Sequence, residues 1–448
     1  MSRILRSVGL DVGTTSTQMI LSELTIENRA SSFAVPEMEI AQRKILYKSP
    51  VHFTPLLDES HVDGGAIRTL ITEEYRKAGI DRSHVDTGAI IITGETSRKE
   101  NARAVLNALS DFAGDFVVAT AGPDLESVLA AKGAGAAEYS QSTGKRVLHM
   151  DIGGGTSNLA LIEDGKIVRT GCLNVGGRLV KRDAQGRITY VSPALQGICD
   201  LKVGDIPSEE NLTEAAKILT QALEMAAGLR ERTQLLNRLW TAEAGTAWAL
   251  PEAGAVISFS GGVADCIETA HPSNAFGDMG PALGQAIRCS RLCSGAYILG
   301  SETIRATVIG AGCHSAQLSG STVFYQNVQF PLKNVPVVNI EDISSLRRKL
   351  ETQEGAVVIA VEGISAPSYR QVEKLAEAIV AQTEGQLLLC LEQDMAKALG
   401  QALALRLPKE ASILCIDRVR VREGSYLDIG APIDCALPVV VKTLVLGR

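Results

Sequence analysis

Aromatic side chains are scarce in this 448-residue chain: eight Phe, eight Tyr and two Trp make up 4% of it. Its cores must therefore be built from aliphatic residues and alanine, within an apolar content of 45% that is ordinary for a globular protein. Clustered positive charge is also missing. The formal net charge is −7, and no stripe of Lys and Arg interleaved with aromatics occurs. That excludes a nucleic-acid binder whose affinity would rest on phosphate neutralisation. No apolar run reaches the length of a membrane span, and the longest near the end, LPVVVKTLVLGR, is broken by Lys442. MSRILRSVGLDVG enters a first strand without a signal-peptide core or cleavage site, so the expectation is a cytoplasmic protein off the membrane. The six histidines form no HxH or HExxH pattern. Most of the nine cysteines lie in apolar surroundings such as LLLC and ILCI and read as buried free thiols. Cys289 and Cys293 form a C-x₃-C pair with no second pair or histidine nearby to complete a metal site.

Glycine, in contrast, is plentiful at 42 residues, and its placement carries the chemistry. VLHMDIGGGTSNLA (147–160) is an apolar strand that ends in Asp151, Gly153, Gly154 and Gly155, then Thr156 and Asn158 before a second strand. Glycines let backbone N–H groups approach an anion closely. A carboxylate at a strand tip can hold a hydrated Mg²⁺, which takes few protein ligands. VGLDVGTTSTQMIL (8–21) repeats the design with Asp11, Gly13, Thr14, Thr15 and Ser16. Two such hairpins could grip one polyphosphate from both sides, with Asp11 and Asp151 on the metal. The pair resembles the two phosphate motifs of the actin, sugar-kinase and heat-shock-chaperone ATPase superfamily. The resemblance implies an α/β, bilobal actin-like (ribonuclease H-like) ATPase fold that uses ATP and Mg²⁺.

The rest of the chain is read around those motifs. The length fits two to four domains. DGGAIRTLITEEYRKAG (63–79) has helical spacing, from Asp63 as cap to Gly79 as stop. GAIIITGETSRKENARAVLNAL (88–109) is a strand, a turn with Thr93, Gly94 and Glu95, then a helix rich in Arg, Lys and Ala. FVVATAGPDLESVLAAKGAGA (116–136) is a strand leading into a helix with Asp124 and Glu126 in its first turn, where they also favour the helix dipole. In the superfamily, a helix connecting the lobes carries an acid near its start and a small residue at the crossing. Asp124, followed nine residues later by Gly133, fits that layout; Asp124 or Glu126 would orient metal or water, with Glu95 a further candidate for the water. STGKR (142–146) is a P-loop decoy, with Tyr139 where the first glycine belongs. Asn174–Gly177 makes a further glycine turn whose Gly176 and Gly177 approach the phosphates in the resembled fold. Residues 208–240 are strongly helical. AVISFSGGVADCI (255–267) resembles the adenosine motif through Gly261 and Gly262, with ATVIGAGCHSAQLSG (306–320), read as a strand and Gly-Ala-Gly turn, as a competitor. FGDMGPALGQAI (276–287) reads as the second connecting helix. DMxxALGQA occurs at both Asp278 and Asp394. Residues 330–448 alternate strand and helix as a further α/β unit. The expected division is 1–145 as the first lobe with insertions, 146–300 as the second with the nucleotide motifs, and 301–448 as the C-terminal region.

Taken together, GLDVGTTSTQ, TGETSRKENA, GPDLESVLAAKGAGA, MDIGGGTSNLA, FSGGVADCI, VIGAGCHSAQLSG and DIGAPI with LPVVVKTLVL resemble the ethanolamine ammonia-lyase reactivating factors, the EutA family, over essentially the whole chain. The resemblance implies a chaperone-like ATPase that binds the adenosylcobalamin-dependent lyase and releases damaged cobalamin. It also implies association with the ethanolamine-utilisation microcompartment. A small-molecule kinase, an iron–sulfur activator ATPase and an actin-like filament scaffold share the nucleotide motifs and stay as alternatives. The oligomeric state, a homo-oligomer included, is open.

Overall fold

The computed structural model describes residues 3–13, 16–28, 38–58, 61–93, 109, 118–120, 123–241, 248, 254–300, 302–314, 317–319, 322–351, 353, 355–383, 385–419, 421, 425–432 and 436–443. The first sheet starts from an antiparallel meander of β1 (Arg3–Val12), β2 (Ser16–Asn28) and β3 (Met38–Lys48). The short β4 (His52–Phe53) pairs with the start of β2. Helix α1 (Gly64–Ala78) starts at Asp63, whose carboxylate accepts the Ala66 N–H at 2.9 Å and so satisfies one orphan donor of the first turn. Strands β5 (Thr87–Ile92) and β6 (Val118–Thr120) then add in parallel on the other side of β1. The order is β3-β2-β1-β5-β6. Alternation along β1 sends Val8, Leu10 and Val12 to one face, where Ile67, Ile71 and Tyr75 of α1 cover them. Gly9 and Asp11 point to the other face.

Helices α2 (Pro123–Gly133) and α3 (Ala136–Thr143) lead to the second sheet. It repeats the first. A meander of β7 (Val147–Ile152), β8 (Ser157–Glu163) and β9 (Lys166–Leu173) comes first, and the small hairpin of β10 (Val180–Arg182) and β11 (Ile188–Val191) lies outside it. Then come α4 (Glu209–Ala226) and α5 (Gln234–Leu239), separated where Gly228 adopts a φ of 70°. Strand β12 (Val256–Ser260) pairs in parallel with β7, α6 (Gly280–Arg288) packs on α4, and β13 (Tyr297–Leu299) closes the edge. The order β13-β12-β7-β8-β9 is that of the first sheet. An antiparallel meander followed by two parallel strands beyond its first strand is the ribonuclease H-like topology. Its duplication is the expected bilobal, actin-like α/β fold.

What joins the repeats differs from the sequence reading. Helix α7 (Ala306–His314) follows β13 as α2 follows β6, and the two helices cross between the sheets. A Cβ built on Gly133 would lie 1.9 Å from the Ala306 carbonyl oxygen, and one on Gly310 would lie 2.1 Å from that of Leu129. Residues 306–314 are therefore a crossing helix, not a strand and Gly-Ala-Gly turn, and Gly310 and Gly312 are helical packing residues. The helix at 276–287 is not the connecting one; α6 lies inside the second lobe, with Leu283 and Ile287 in its core. Valine, isoleucine and glycine in TVIGAG argue against a helix by propensity, and close backbone approach overrides that preference.

A third sheet follows, in the order β14-β21-β20-β16-β17-β18-β19-β15. Its strands are β14 (Gln317–Leu318), β15 (Phe324–Gln326), β16 (Leu332–Ile340), β17 (Val358–Val361), β18 (Leu387–Leu391), β19 (Ile413–Ile416), β20 (Ser425–Ile429) and β21 (Pro438–Thr443). Strands β16 to β19 are parallel, and helices α8 (Tyr369–Val380) and α9 (Ala396–Ala404) cover one face with Val372, Ala376, Leu399 and Leu403. The two DMxxALGQA stretches share a local job. Each begins a helix, α6 or α9, with a buried Met279 or Met395, and Gly284 or Gly400 meets a close neighbour.

Candidate functional site

The two glycine hairpins close in the same way. Gly13 N–H donates to Ser16 O at 2.9 Å, and Gly153 N–H donates to Thr156 O at 2.9 Å. Each turn thus spans four residues, followed by the register pairs Val12–Thr17 and Ile152–Ser157. Thr14 and Thr15 lie outside the described residues, as do Gly94 and Glu95. Gly13, Ser16, Gly153, Gly154, Gly155 and Thr156 are all partly exposed at the tips of their sheets.

Asp11 and Asp151 sit one residue before the end of β1 and β7, on the sheet faces turned toward the crossed helices. Each accepts a hydroxyl from the neighbouring parallel strand. Thr93 Oγ1 donates to Asp11 Oδ1 at 2.8 Å, and Ser260 Oγ donates to Asp151 Oδ1. Thr307 Oγ1, at the start of α7, is 3.4 Å from Asp151 Oδ2. Burial pushes the Asp11 carboxyl up to about 7, against the lowering effect of the Thr93 hydrogen bond, and the charge of Asp151 pushes it further. Burial likewise raises Asp151 to about 6, against the hydrogen bonds from Ser260 and Thr307. Asp151 is buried and Asp11 half-buried, and two such carboxylates that repel each other are a donor set that a divalent cation relieves. Among the described residues no group of three or more His, Cys, Asp and Glu is arranged to hold a metal. Two carboxylates with waters match the demands of Mg²⁺, which keeps much of its hydration shell. The residues present fit that ion.

The residues opposite the aspartates tie each hairpin to a crossing helix. Gln18, paired with Asp11, donates from Nε2 to Ile304 O at 3.1 Å, just before α7. Asn158, paired with Asp151, donates from Nδ2 to Glu126 Oε2 at 2.7 Å, in the first turn of α2. Glu126 is 8% exposed. Asp124 is exposed and accepts a hydrogen bond from Thr170 Oγ1, on the outer strand β9. Of the two acids, the structure brings Glu126 to the hairpin of Asp151 and leaves Asp124 one strand further out.

The remaining glycines build the wall of the second turn. Gly177 N–H donates to Gly153 O at 3.0 Å and Arg178 N–H to Gly154 O at 2.6 Å. The stem of Arg178 lies against Gly154, and its Nε donates to Asp278 Oδ2 at 3.3 Å. Gly261 has a φ of 86°, and a Cβ there would lie 2.3 Å from Ile152 O, so only glycine fits. Among the described residues, a Cβ on Gly262 would meet only Ile304 Cδ1, at 3.9 Å. Among those residues Gly262 is therefore loosely surrounded, unlike Gly261.

The family follows from comparison with known proteins. The family described as ethanolamine utilisation protein EutA matches residues 3–447. This chain belongs to the EutA family. Two relatives named ethanolamine ammonia-lyase reactivase EutA, from Salmonella typhimurium and Escherichia coli, are each 40% identical, with 99% of both chains covered. A solved Aquifex aeolicus PPX-GPPA enzyme overlays at a TM-score of 0.42 with 13% identity, over 69% of this chain and 99% of that one. In this EutA-family chain, motif reading named Thr93 as a turn residue without giving it a partner, and did not name Ser260, His149, Thr307 or Arg178. Ser260 pairs directly with Asp151, whereas Ile91 is the residue paired with Asp11 and Thr93 lies two positions further on, so aligning the two repeats does not match the two hydroxyls. His149 gives no signal either, since a lone histidine in an apolar strand is ordinary core.

Proposed function

We propose that this chain is a nucleotide-driven reactivase of ethanolamine ammonia-lyase. The observation that carries the reading is the duplicated aspartate turn, Asp11–Ser16 and Asp151–Thr156, set at the starts of two crossed helices in a chain of the EutA family. The names of its relatives supply the partner. Backbone N–H groups of the two glycine turns bind the phosphate chain of ATP, and Gly177 supports the second turn. Asp11 and Asp151 would hold a hydrated Mg²⁺, which supplies charge neutralisation on the phosphate oxygens. Gly262 leaves space for the adenosine, and Gly261 makes the tight turn that presents it. Glu126, held by Asn158, orients the hydrolytic water and accepts its proton.

Both turns lie on strands whose opposite residues, Gln18 and Asn158, are bonded to the helix starts. Loss of the terminal phosphate therefore relaxes the grip between turns and allows α2 and α7 to shift at their glycine crossing. Nucleotide can act on the partner only if the ATP and ADP forms bind the lyase differently. The consequence for the lyase is release of damaged cobalamin, so that intact cofactor can enter. This role places the chain with the ethanolamine-utilisation microcompartment. Immobilised lyase, inactivated by cyanocobalamin, tests it with the protein in ATP and in ADP. A change in affinity of about tenfold or more between the two states supports the reading. Equal affinities contradict it.

A further inference from the structure

Beneath Asp151 runs a fully buried polar chain that the nucleotide chemistry above does not use. His149 lies two residues before Asp151 on β7, on the same face. Its Nε2 is 2.9 Å from Ser260 Oγ and its Nδ1 is 3.0 Å from Ser258 Oγ, both on the neighbouring strand β12. His149 and Ser260 are 0% exposed and Ser258 is 1% exposed. The directions of these bonds follow from proton counting. A serine hydroxyl has one proton. That of Ser260 goes to Asp151 Oδ1, so Ser260 accepts from His149 Nε2–H. The Nδ1 of that tautomer is an acceptor, and Ser258 donates to it.

We infer that His149 is a positioning residue for the cation-holding carboxylate: the Ser258–His149–Ser260 chain locks the Ser260 proton onto Asp151 Oδ1 and so fixes the orientation of the carboxylate. Oδ2 keeps only the 3.4 Å contact to Thr307 among the described residues, and it is the oxygen left for the ion. The fold itself does not require a histidine here. The matching position in the first repeat, two residues before Asp11, is Gly9, where the backbone of α7 fills the space and a Cβ would lie 2.5 Å from Val308 O. The two aspartates thus have different support, and Asp151 has the two-layered one. Partners behind a metal ligand fix its geometry and typically matter by about ten- to a hundredfold in metal affinity.

The inference rests on the nucleotide reading. Its test uses the full-length protein with ADP and Mn²⁺, reading free Mn²⁺ by electron paramagnetic resonance and folding by thermal melting. An amide can accept from Ser258 and donate to Ser260 as the imidazole does; a leucine can do neither. The better of H149N and H149Q is expected to hold Mn²⁺ within about threefold of the wild type, while H149L and S260A weaken it by about tenfold or more. H149L with wild-type Mn²⁺ affinity, whatever its melting point, overturns the inference, because His149 is then packing alone. Amide variants as weak as H149L also overturn it. Should H149L fail to fold, S260A decides: wild-type affinity in S260A overturns the positioning role. A wild-type protein that binds no Mn²⁺ with ADP removes the nucleotide reading and this inference together.

Discussion

Substituting Gly133 with alanine tests the hinge on which the two lobes meet. The new methyl carbon would lie 1.9 Å from the Ala306 carbonyl oxygen. A carbon–oxygen contact settles near 3.3 Å, so α2 and α7 must part by roughly 1.4 Å at this point. Ala306 is fully buried and its carbonyl belongs to the first turn of α7, so neither partner can rotate away as a side chain would. Overpacking of this kind costs about 3 kcal/mol, at the upper end of the usual range because backbone must move. For lobes of this size that lowers the melting temperature by about 6 °C or more. Gly310→Ala strikes Leu129 O across the same crossing at 2.1 Å. Once one alanine has parted the helices, the second meets less resistance, so the double variant is expected to lose less than the sum of the two. Calorimetric melting of the four proteins measures this, and nucleotide titration shows whether the parted helices weaken the grip of the two turns. Gly133→Ala melting within about 1 °C of the wild type would refute the reasoning, because the crossing would then have slack the geometry denies.

The acid–base state of the aspartates predicts a pH dependence. Both carboxyls are raised by burial, Asp11 to about 7 and Asp151 to about 6, so their protonated forms stabilise the folded state at acid pH and that contribution fades as pH rises through those values. Mg²⁺ should therefore raise the melting temperature more at pH 8 than at pH 5.5, and Asp11→Asn should remove most of that difference. Glu126→Gln is expected to cut ATP turnover by about a hundredfold or more while ADP still binds, whereas Asp124→Asn changes turnover by less than about threefold. Equal losses in the two would reverse the choice between these acids. Gly262→Ala should melt like the wild type yet bind nucleotide about tenfold more weakly, since its methyl enters the space proposed for the ligand. Unchanged affinity would move the adenosine elsewhere.

Much of this architecture was legible because it rests on local pattern. The strand–Asp–Gly hairpins at Asp11 and Asp151, the Asp63 cap, the long helix from Glu209 and the alternating C-terminal unit all announce themselves by periodicity and turn residues. The crossing helix at 306–314 did not. Its glycines look like a turn until α2 is seen packed on them, and that contact spans more than 170 residues of sequence. Helix phase was a second blind spot. Asp124 and Glu126 stand two residues apart at the start of a helix with no clear apolar stripe, so only the packed structure shows that Glu126 turns inward to Asn158. The partners of Thr93 and Ser260 were hidden for a related reason: each hydroxyl bonds an aspartate on the neighbouring strand, which its own segment does not announce.

The most direct test of the central claim is recovery of activity by ethanolamine ammonia-lyase inactivated with cyanocobalamin, then given this protein, adenosylcobalamin and Mg²⁺ with or without ATP. The account predicts recovery only with ATP, and none with Asp151→Ala even where that variant is folded. Recovery without ATP, or undiminished recovery with Asp151→Ala, would contradict it.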